Sequence, residues 1–154
     1  MNRKGKVTFK KFLKVGSRQS RPQLYSPREK MQNCIWIFKL GDSDDHPSIP
    51  HAHAQEVGYR LDAWSGDIYS AGNERTRKVG KLTPKELRKL HRDQGFLRFA
   101  KKQIDWYRTE YPHIEFFVPE WFEIMYMKMC GVKMNRSDDI GRYVFLGKAI
   151  IKKQ

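Results

Sequence analysis

A proline-stiffened, histidine-rich segment constrains this chain more than any other feature. From Gly41 to His53 it reads GDSDDHPSIPHAH. Pro47 and Pro50 fix their own φ angles and bias the residues before them toward extended geometry. These restrictions exclude a regular strand for most of the segment and disfavour a helix. We therefore predict an ordered loop that enters a strand near His51.

Three of the five histidines lie in this loop, which makes it the candidate functional site. In an extended segment, His51 and His53 project from the same face. The aspartates just upstream can hold an imidazole in one tautomer or keep it charged. Two imidazoles beside carboxylates can bind a metal ion, relay protons or hold a phosphate. If a metal is bound, the predicted ligands are His51, His53 and Asp45.

The charge of the chain indicates a polyanionic partner. The 154 residues carry a net charge of +14, and the predicted isoelectric point is near 9.9. A protein this basic tends to bind nucleic acid and, less often, an anionic membrane. Most of the excess positive charge lies at the two ends. Residues 1–30 contain ten Lys or Arg and one acid, and residues 132–154 contain six Lys or Arg and two acids.

We divide the chain into two parts. Residues 1–33 form a predicted basic, partly ordered arm, and residues 34–154 form a predicted single domain, long enough to bury a core. The arm is expected to contact RNA or DNA through Arg3, Lys4, Lys6, Lys10, Lys11 and Lys14. The salt dependence of such contacts follows from counterion release.

The rest of the pattern predicts an α+β domain, a small antiparallel sheet with helices packed on one side. Strands are expected at 34–40, from 54 to 64, at 68–70, at 113–118 and near the C-terminus, and residues 73–81 are expected to be a polar connector. Thr83, Pro84 and Glu86 form a capping box that begins a helix. Gly95 is expected to interrupt this helix, and a last apolar helix should run from 119 to 130.

Several further residues carry specific expectations. Cys34 and Cys130 both lie in apolar runs and are predicted to be buried thiols in a reduced cytoplasm. No apolar stretch of the signal-peptide type follows the first basic residues, and no apolar run has the length of a membrane span, so neither feature is expected. His91 is expected to be solvated on a helix face. Trp64, at a predicted hairpin tip, is the tryptophan that best suits base stacking.

Three resemblances bear on the loop. The spacing of His51 and His53 is similar to the first cupin motif, but the second motif is missing and the strands are too few. The run from His51 to Gln55 resembles the His-x-His-x-Gln variant of the histidine-triad superfamily, which implies His53 as a nucleophile toward an α-phosphate. Residues 34–107 resemble small uncharacterised bacterial domains with a His-Pro and Pro-His-x-His loop before a hairpin. Those domains often lie beside toxin–antitoxin genes, which implies a mobile or defence-associated protein.

The charge and the histidine pair together favour an endoribonuclease-like effector that needs no cofactor. His51 and His53 would act as general acid and base, His46 would assist, and Arg60 would stabilise the charged phosphate. The connector residues expected to bind phosphate are Arg75, Arg77 and Lys78. The alternative is a non-enzymatic RNA- or DNA-binding module in which the loop is only structural, and a histidine-nucleophile nucleotidyl transferase is the lesser alternative. A protein partner that neutralises the effector is compatible with the first hypothesis.

Overall fold

The computed structural model describes residues 23–132, 143–146 and 149–152 of the chain. It contains a six-stranded antiparallel sheet in which each strand pairs with the next one in sequence. The strands are β1 (Leu24–Tyr25), β2 (Trp36–Lys39), β3 (His51–Ala54), β4 (Tyr59–Asp62), β5 (Asp67–Ser70) and β6 (Lys78–Lys81).

Three helices follow the sheet in sequence: α1 (Pro84–Arg92), α2 (Gln94–Glu110) and α3 (Glu120–Met129). Two further strands, β7 (Tyr143–Leu146) and β8 (Ala149–Lys152), pair with each other in a separate two-stranded sheet. The arrangement is α+β, which confirms the predicted fold class. No helix in the described part of the chain has the length and apolar character needed to cross a membrane.

One face of the six-stranded sheet forms the core with the helices. Phe38, Ala52, Leu61 and Ile68 are paired in register across four neighbouring strands, and all four are at most 5% exposed. Phe38 contacts two rings of α2 at centroid distances of 5.4 and 6.0 Å. The core therefore lies between this face and α2.

The opposite face carries the candidate site. Because side chains alternate along a strand, the neighbours of the core residues point away from the helices. These neighbours are also in register, in the order Ile37, His53, Arg60, Tyr69 and Lys78. We call this row with His51 the histidine face.

The helix start at Thr83 is confirmed. The Thr83 hydroxyl accepts a hydrogen bond from the Glu86 amide, and the Glu86 carboxylate accepts one from the Thr83 amide. The predicted break at Gly95 falls instead at Asp93, whose carboxylate caps α2 by accepting from the Phe96 amide. At Gly95 a Cβ atom would lie 3.0 Å from the Tyr25 ring, so the glycine serves a close contact with β1.

Three further secondary-structure predictions were wrong. Residues 73–81 are not simply a connector, because they include β6, a lysine-flanked edge strand whose polar pattern hid it. Residues 113–118 form no strand, since Phe116 and Val118 pack on the core individually while Phe117 is 72% exposed. The single strand predicted from 54 to 64 is interrupted by a turn at 55–58, which leaves β3 and β4 as an antiparallel pair.

The sheet also extends into the range predicted as the basic arm. Strand β1 pairs with β2, and Met31 is buried in the core at 4% exposure. Residues 1–22, including all six predicted arm contacts, lie outside the described residues. Cys34 is half-buried and Cys130 is exposed, so the prediction of two buried thiols was wrong.

Candidate functional site

The histidine-rich loop is ordered and anchored to α2, as predicted for a structured loop. Gln103, only 2% exposed, uses both ends of its amide on the start of the loop. Its Oε1 accepts from the Gly41 amide at 2.8 Å, and its Nε2 donates to the Asp42 carbonyl at 2.8 Å. A buried amide that is satisfied in this way fixes the backbone from which the Asp42 side chain projects.

The end of the loop is fixed against β4 and the turn that follows it. The Ser48 hydroxyl donates to the Pro50 carbonyl and accepts from the Ala63 amide. The Trp64 indole donates to the Ile49 carbonyl at 3.1 Å. Trp64 is 8% exposed, so the expectation that it offers a base-stacking surface was wrong. The peptide bonds before Pro47 and Pro50 are both cis.

Three side chains converge where the loop meets β3. The His53 Nε2 atom lies 2.9 Å from Asp42 Oδ2 and 3.2 Å from His51 Nε2. The distance from His51 Nε2 to Asp42 Oδ2 is 3.6 Å. We call this set of Asp42, His51 and His53 the His–His–Asp cluster. It confirms that the two imidazoles share one face of the strand.

The proton positions in the cluster follow from its partners. His51 Nδ1 lies 3.0 Å from the Ser48 carbonyl, which can only accept, so Nδ1 carries the proton. Burial lowers the pKa of His51, which leaves its Nε2 as a lone-pair acceptor. The His53 Nε2 proton therefore points between the Asp42 carboxylate and His51 Nε2. The hydrogen bond from His53 lowers the pKa of Asp42 to about 2.

The cluster is accessible from one side. The side chain of His51 is only 2% exposed, whereas those of His53 and Asp42 are 28% and 20% exposed. The cluster is therefore partly exposed through His53 and Asp42, while His51 forms its buried side.

A second network surrounds Asp44. The Arg60 guanidinium donates to the Asp44 carboxylate and, at 3.1 Å, to the His46 carbonyl. Partial burial acts to raise the pKa of Asp44, but the hydrogen bonds from Arg60 and from the His46 amide, together with the charge of Arg60, outweigh it, and the pKa is lowered. Arg60 lies beside His53 on the neighbouring strand, as predicted, and its guanidinium holds the loop.

His46 lies in this second network and is not a member of the cluster. Its Nε2 is 2.7 Å from the Arg75 carbonyl, which requires Nε2 to donate. Its ring meets the edge of Tyr69 at a centroid distance of 5.3 Å. His46 thus joins the loop to the connection between β5 and β6.

The predicted phosphate-binding cations of that connection have acidic partners. The distance from Arg75 Nη1 to Asp44 Oδ2 is 3.6 Å. The distance from Arg77 Nη1 to Glu74 Oε2 is 3.1 Å, and that from Lys78 Nζ to Asp67 Oδ1 is 2.8 Å. All three side chains are at least 49% exposed. The pair of Arg77 with Glu74 is exposed on both sides and is therefore weak, whereas the Asp44 and Asp67 side chains are only 24% and 16% exposed. The three cations themselves are accessible to a polyanion.

Sequence reasoning named the two histidines of the cluster but chose a different acid. The acidic ligand named in the sequence-based set of His51, His53 and Asp45 was Asp45, which is exposed and does not belong to the cluster. Asp42 takes that place. Gln103, 62 residues beyond Gly41, positions the loop, and no local pattern relates them. The only sequence signal that could have distinguished Asp42 from Asp44 and Asp45 was its position directly after Gly41, where the apolar strand has just ended.

His91 also differs from its prediction as a solvated residue. Its Nε2 donates to the Ala63 carbonyl at 2.8 Å, and its ring lies 4.2 Å from that of Trp121. Burial between α3 and the turn after β4 lowers the pKa of His91. Neighbouring Arg and Lys residues in the sequence suggested a fully polar face, but α3 covers this position.

The fold and the cluster define an α+β protein with two histidines and an aspartate converging beside an antiparallel sheet. Comparison of the chain with family models, curated proteins and solved structures found no match. The functional argument therefore depends on the geometry of the cluster and on the charge of the chain.

Proposed function

We propose that this protein binds nucleic acid and cleaves its phosphodiester bonds at the His–His–Asp cluster, as an endoribonuclease-like effector in the cytoplasm. The observation that carries the proposal is the convergence of Asp42, His51 and His53 on one accessible point of the histidine face. Such a constellation of polar groups in a basic protein suits a phosphate substrate.

The distances favour a cluster that acts as one unit. In cleavage by a separate acid and base, each group must lie about 3 Å from its own oxygen atom. Those two oxygens lie on opposite sides of the phosphorus in an in-line displacement. The two Nε2 atoms of His51 and His53 are only 3.2 Å apart and share one proton, so they suit joint action on a single atom.

The surroundings of the cluster favour an anionic substrate. Tyr69 and Lys78 continue the row from His53 across the sheet, and Arg75 is half exposed beside Asp44. A phosphate that approaches the exposed Arg75 or Lys78 side chain gains a charge-assisted hydrogen bond. A polyanion that follows this row would place a phosphodiester next to His53.

A second candidate is a binding module without catalysis, and one observation favours it. His51 is buried and bonded to the Ser48 carbonyl, while His46 is bonded to the Arg75 carbonyl. Both histidines therefore brace the loop, whatever else they do. In that case the basic chain would bind nucleic acid and the cluster would only stabilise the fold.

Cleavage of labelled RNA, with DNA of the same sequence in parallel, separates the two candidates. We expect the wild-type protein to cut RNA and His53→Ala to lose about 100-fold or more of that activity. His113→Ala is the matched control, because His113 is exposed outside the cluster. Tight, salt-sensitive binding without cleavage by the wild type would establish the binding module instead.

A further inference from the structure

The donor atoms of the His–His–Asp cluster have the spacing of metal ligands. Their three separations are 2.9, 3.2 and 3.6 Å. Ligands about 2.0–2.1 Å from a tetrahedral ion are about 3.3 Å from one another. Movements of a few tenths of an ångström would therefore make all three atoms equidistant from one ion. Binding would also displace the His53 Nε2 proton, which moves to Nδ1 or to solvent and leaves Nε2 with a free lone pair.

The ligands are held from behind, as metal ligands usually are. His51 donates its Nδ1 proton to the Ser48 carbonyl, which directs the Nε2 lone pair into the cluster. The second oxygen of Asp42, Oδ1, accepts from the Asp44 amide at 3.1 Å. Gln103 fixes the Asp42 backbone through its carbonyl. Two of the three proposed ligands, Asp42 and His51, are thus held in orientation by hydrogen bonds with neighbouring groups, as is usual for metal ligands.

The chemistry of the ligands selects a class of ion. Two imidazoles and one carboxylate suit zinc and other divalent transition metals, whereas magnesium and calcium prefer oxygen ligands only. Three protein ligands also leave a fourth position for water or substrate, which is the pattern of catalytic zinc sites. The partial exposure of His53 and Asp42 provides the access that this fourth position needs.

We propose that Asp42, His51 and His53 bind one divalent transition-metal ion of the zinc class. Metal binding stands on the geometry alone, whereas the role of the ion in cleavage rests on the proposed function. In that role, the metal-bound hydroxide attacks the phosphorus, and the bond from phosphorus to the leaving ribose oxygen breaks. The leaving oxygen takes up the equivalent of the proton that the metal-bound water loses when it forms hydroxide, so one water and one phosphodiester give a phosphomonoester and an alcohol.

Zn²⁺ and Co²⁺ titrations of the chelator-treated, full-length protein test this proposal. We expect one ion per chain by calorimetry and, with Co²⁺, the visible absorption of a four-coordinate site. Asp42→Asn and His53→Ala should each weaken binding about 10-fold or more. Asp45→Asn and His113→Ala are the matched controls, since both residues are exposed and outside the cluster, and they should bind like the wild type.

The measurements of metal binding and of cleavage test the metal site and the proposed nuclease function separately. Stoichiometric binding that Asp42→Asn abolishes, without any cleavage of nucleic acid, would support the metal site and overturn the nuclease. Cleavage at full rate by protein that binds neither ion would overturn the metal site and leave the nuclease standing. Binding that Asp45→Asn weakens as much as Asp42→Asn would overturn the assignment of the ligands. A Zn²⁺-dependent rise in melting temperature that occurs in the wild type but not in Asp42→Asn would give independent support for the metal site.

Discussion

At the scale of single residues, the histidines acquire their properties from backbone carbonyl partners, which are local for His51 and distant in the sequence for His46 and His91. His51 is fixed by Ser48, His46 by the Arg75 carbonyl, and His91 by the Ala63 carbonyl. The sequence predicted that His51 and His53 share a face, because this depends only on strand periodicity. It did not predict the burial of His91, because that depends on the packing of α3.

His91 should make the protein less stable as the solution becomes acidic. Burial lowers its pKa in the folded state, so the unfolded chain takes up a proton first as the pH falls below about 6.5. The stability is therefore complete above that pH and decreases below it. We expect His91→Gln to flatten the slope of unfolding free energy between pH 7 and pH 5.5. An unchanged slope in urea titrations would contradict the burial of this imidazole.

Arg60 should stabilise the loop more than its exposed neighbour Arg77 stabilises the connection to β6. Arg60 is 19% exposed and bonds to both Asp44 and the His46 carbonyl, whereas the pair of Arg77 with Glu74 is about two-thirds exposed. Arg60→Met should cost about 1–3 kcal/mol in unfolding free energy. Arg77→Met should change it by no more than about 0.5 kcal/mol. Equal effects in denaturant titrations would show that the Arg60 network is not formed in solution.

At the scale of elements, the predictions succeeded where the signal was local. Three correctly predicted elements depend on residues within a few positions of each other. They are the capping box at Thr83, the apolar strand that ends at Lys39 and the helix before Gly131. Strand β6 was missed because its lysines resemble a solvated connector, and its assignment depends on pairing with β5. The acid of the cluster was misjudged because three aspartates in four positions carry the same local signal.

Thr83→Ala should weaken the start of α1 by about 1 kcal/mol, the usual cost of removing a capping oxygen. The Thr83 hydroxyl both accepts from the Glu86 amide and donates to the Glu86 carboxylate at 2.7 Å. Thermal melting should record the loss, while Thr83→Ser should melt close to the wild type. Nucleic-acid binding should not change in either variant. Identical melting of the alanine and serine variants would show that this cap contributes nothing.

At the scale of the whole molecule, the excess positive charge and the His–His–Asp cluster lie in different parts of the chain. The cluster lies in the almost neutral middle, whereas residues 1–30 supply much of the net charge of +14. Nucleic-acid affinity that depends on phosphate contacts decreases steeply with salt. We therefore expect that the two proposed functions, holding a polyanion and acting on it, can be removed independently.

Deletion of residues 2–15 should reduce the salt dependence of RNA binding. The deletion removes Arg3, Lys4, Lys6, Lys10, Lys11 and Lys14. Each lost phosphate contact should lower the slope of log affinity against log salt by about 0.7 for a single strand. Fluorescence anisotropy at several salt concentrations measures this slope. The same slope in the full-length and shortened proteins would show that these residues make no contacts.

The most direct test of the central claim is single-turnover RNA cleavage by chelator-treated protein that is reloaded with increasing Zn²⁺. If the His–His–Asp cluster is a metal-dependent catalytic site, the rate should rise in proportion to the bound ion and level off at one ion per chain. At the lowest concentration that saturates the wild type, His53→Ala should remain about 100-fold or more slower than the wild type. Full activity in the metal-free protein, or no activity at any loading, would contradict the claim.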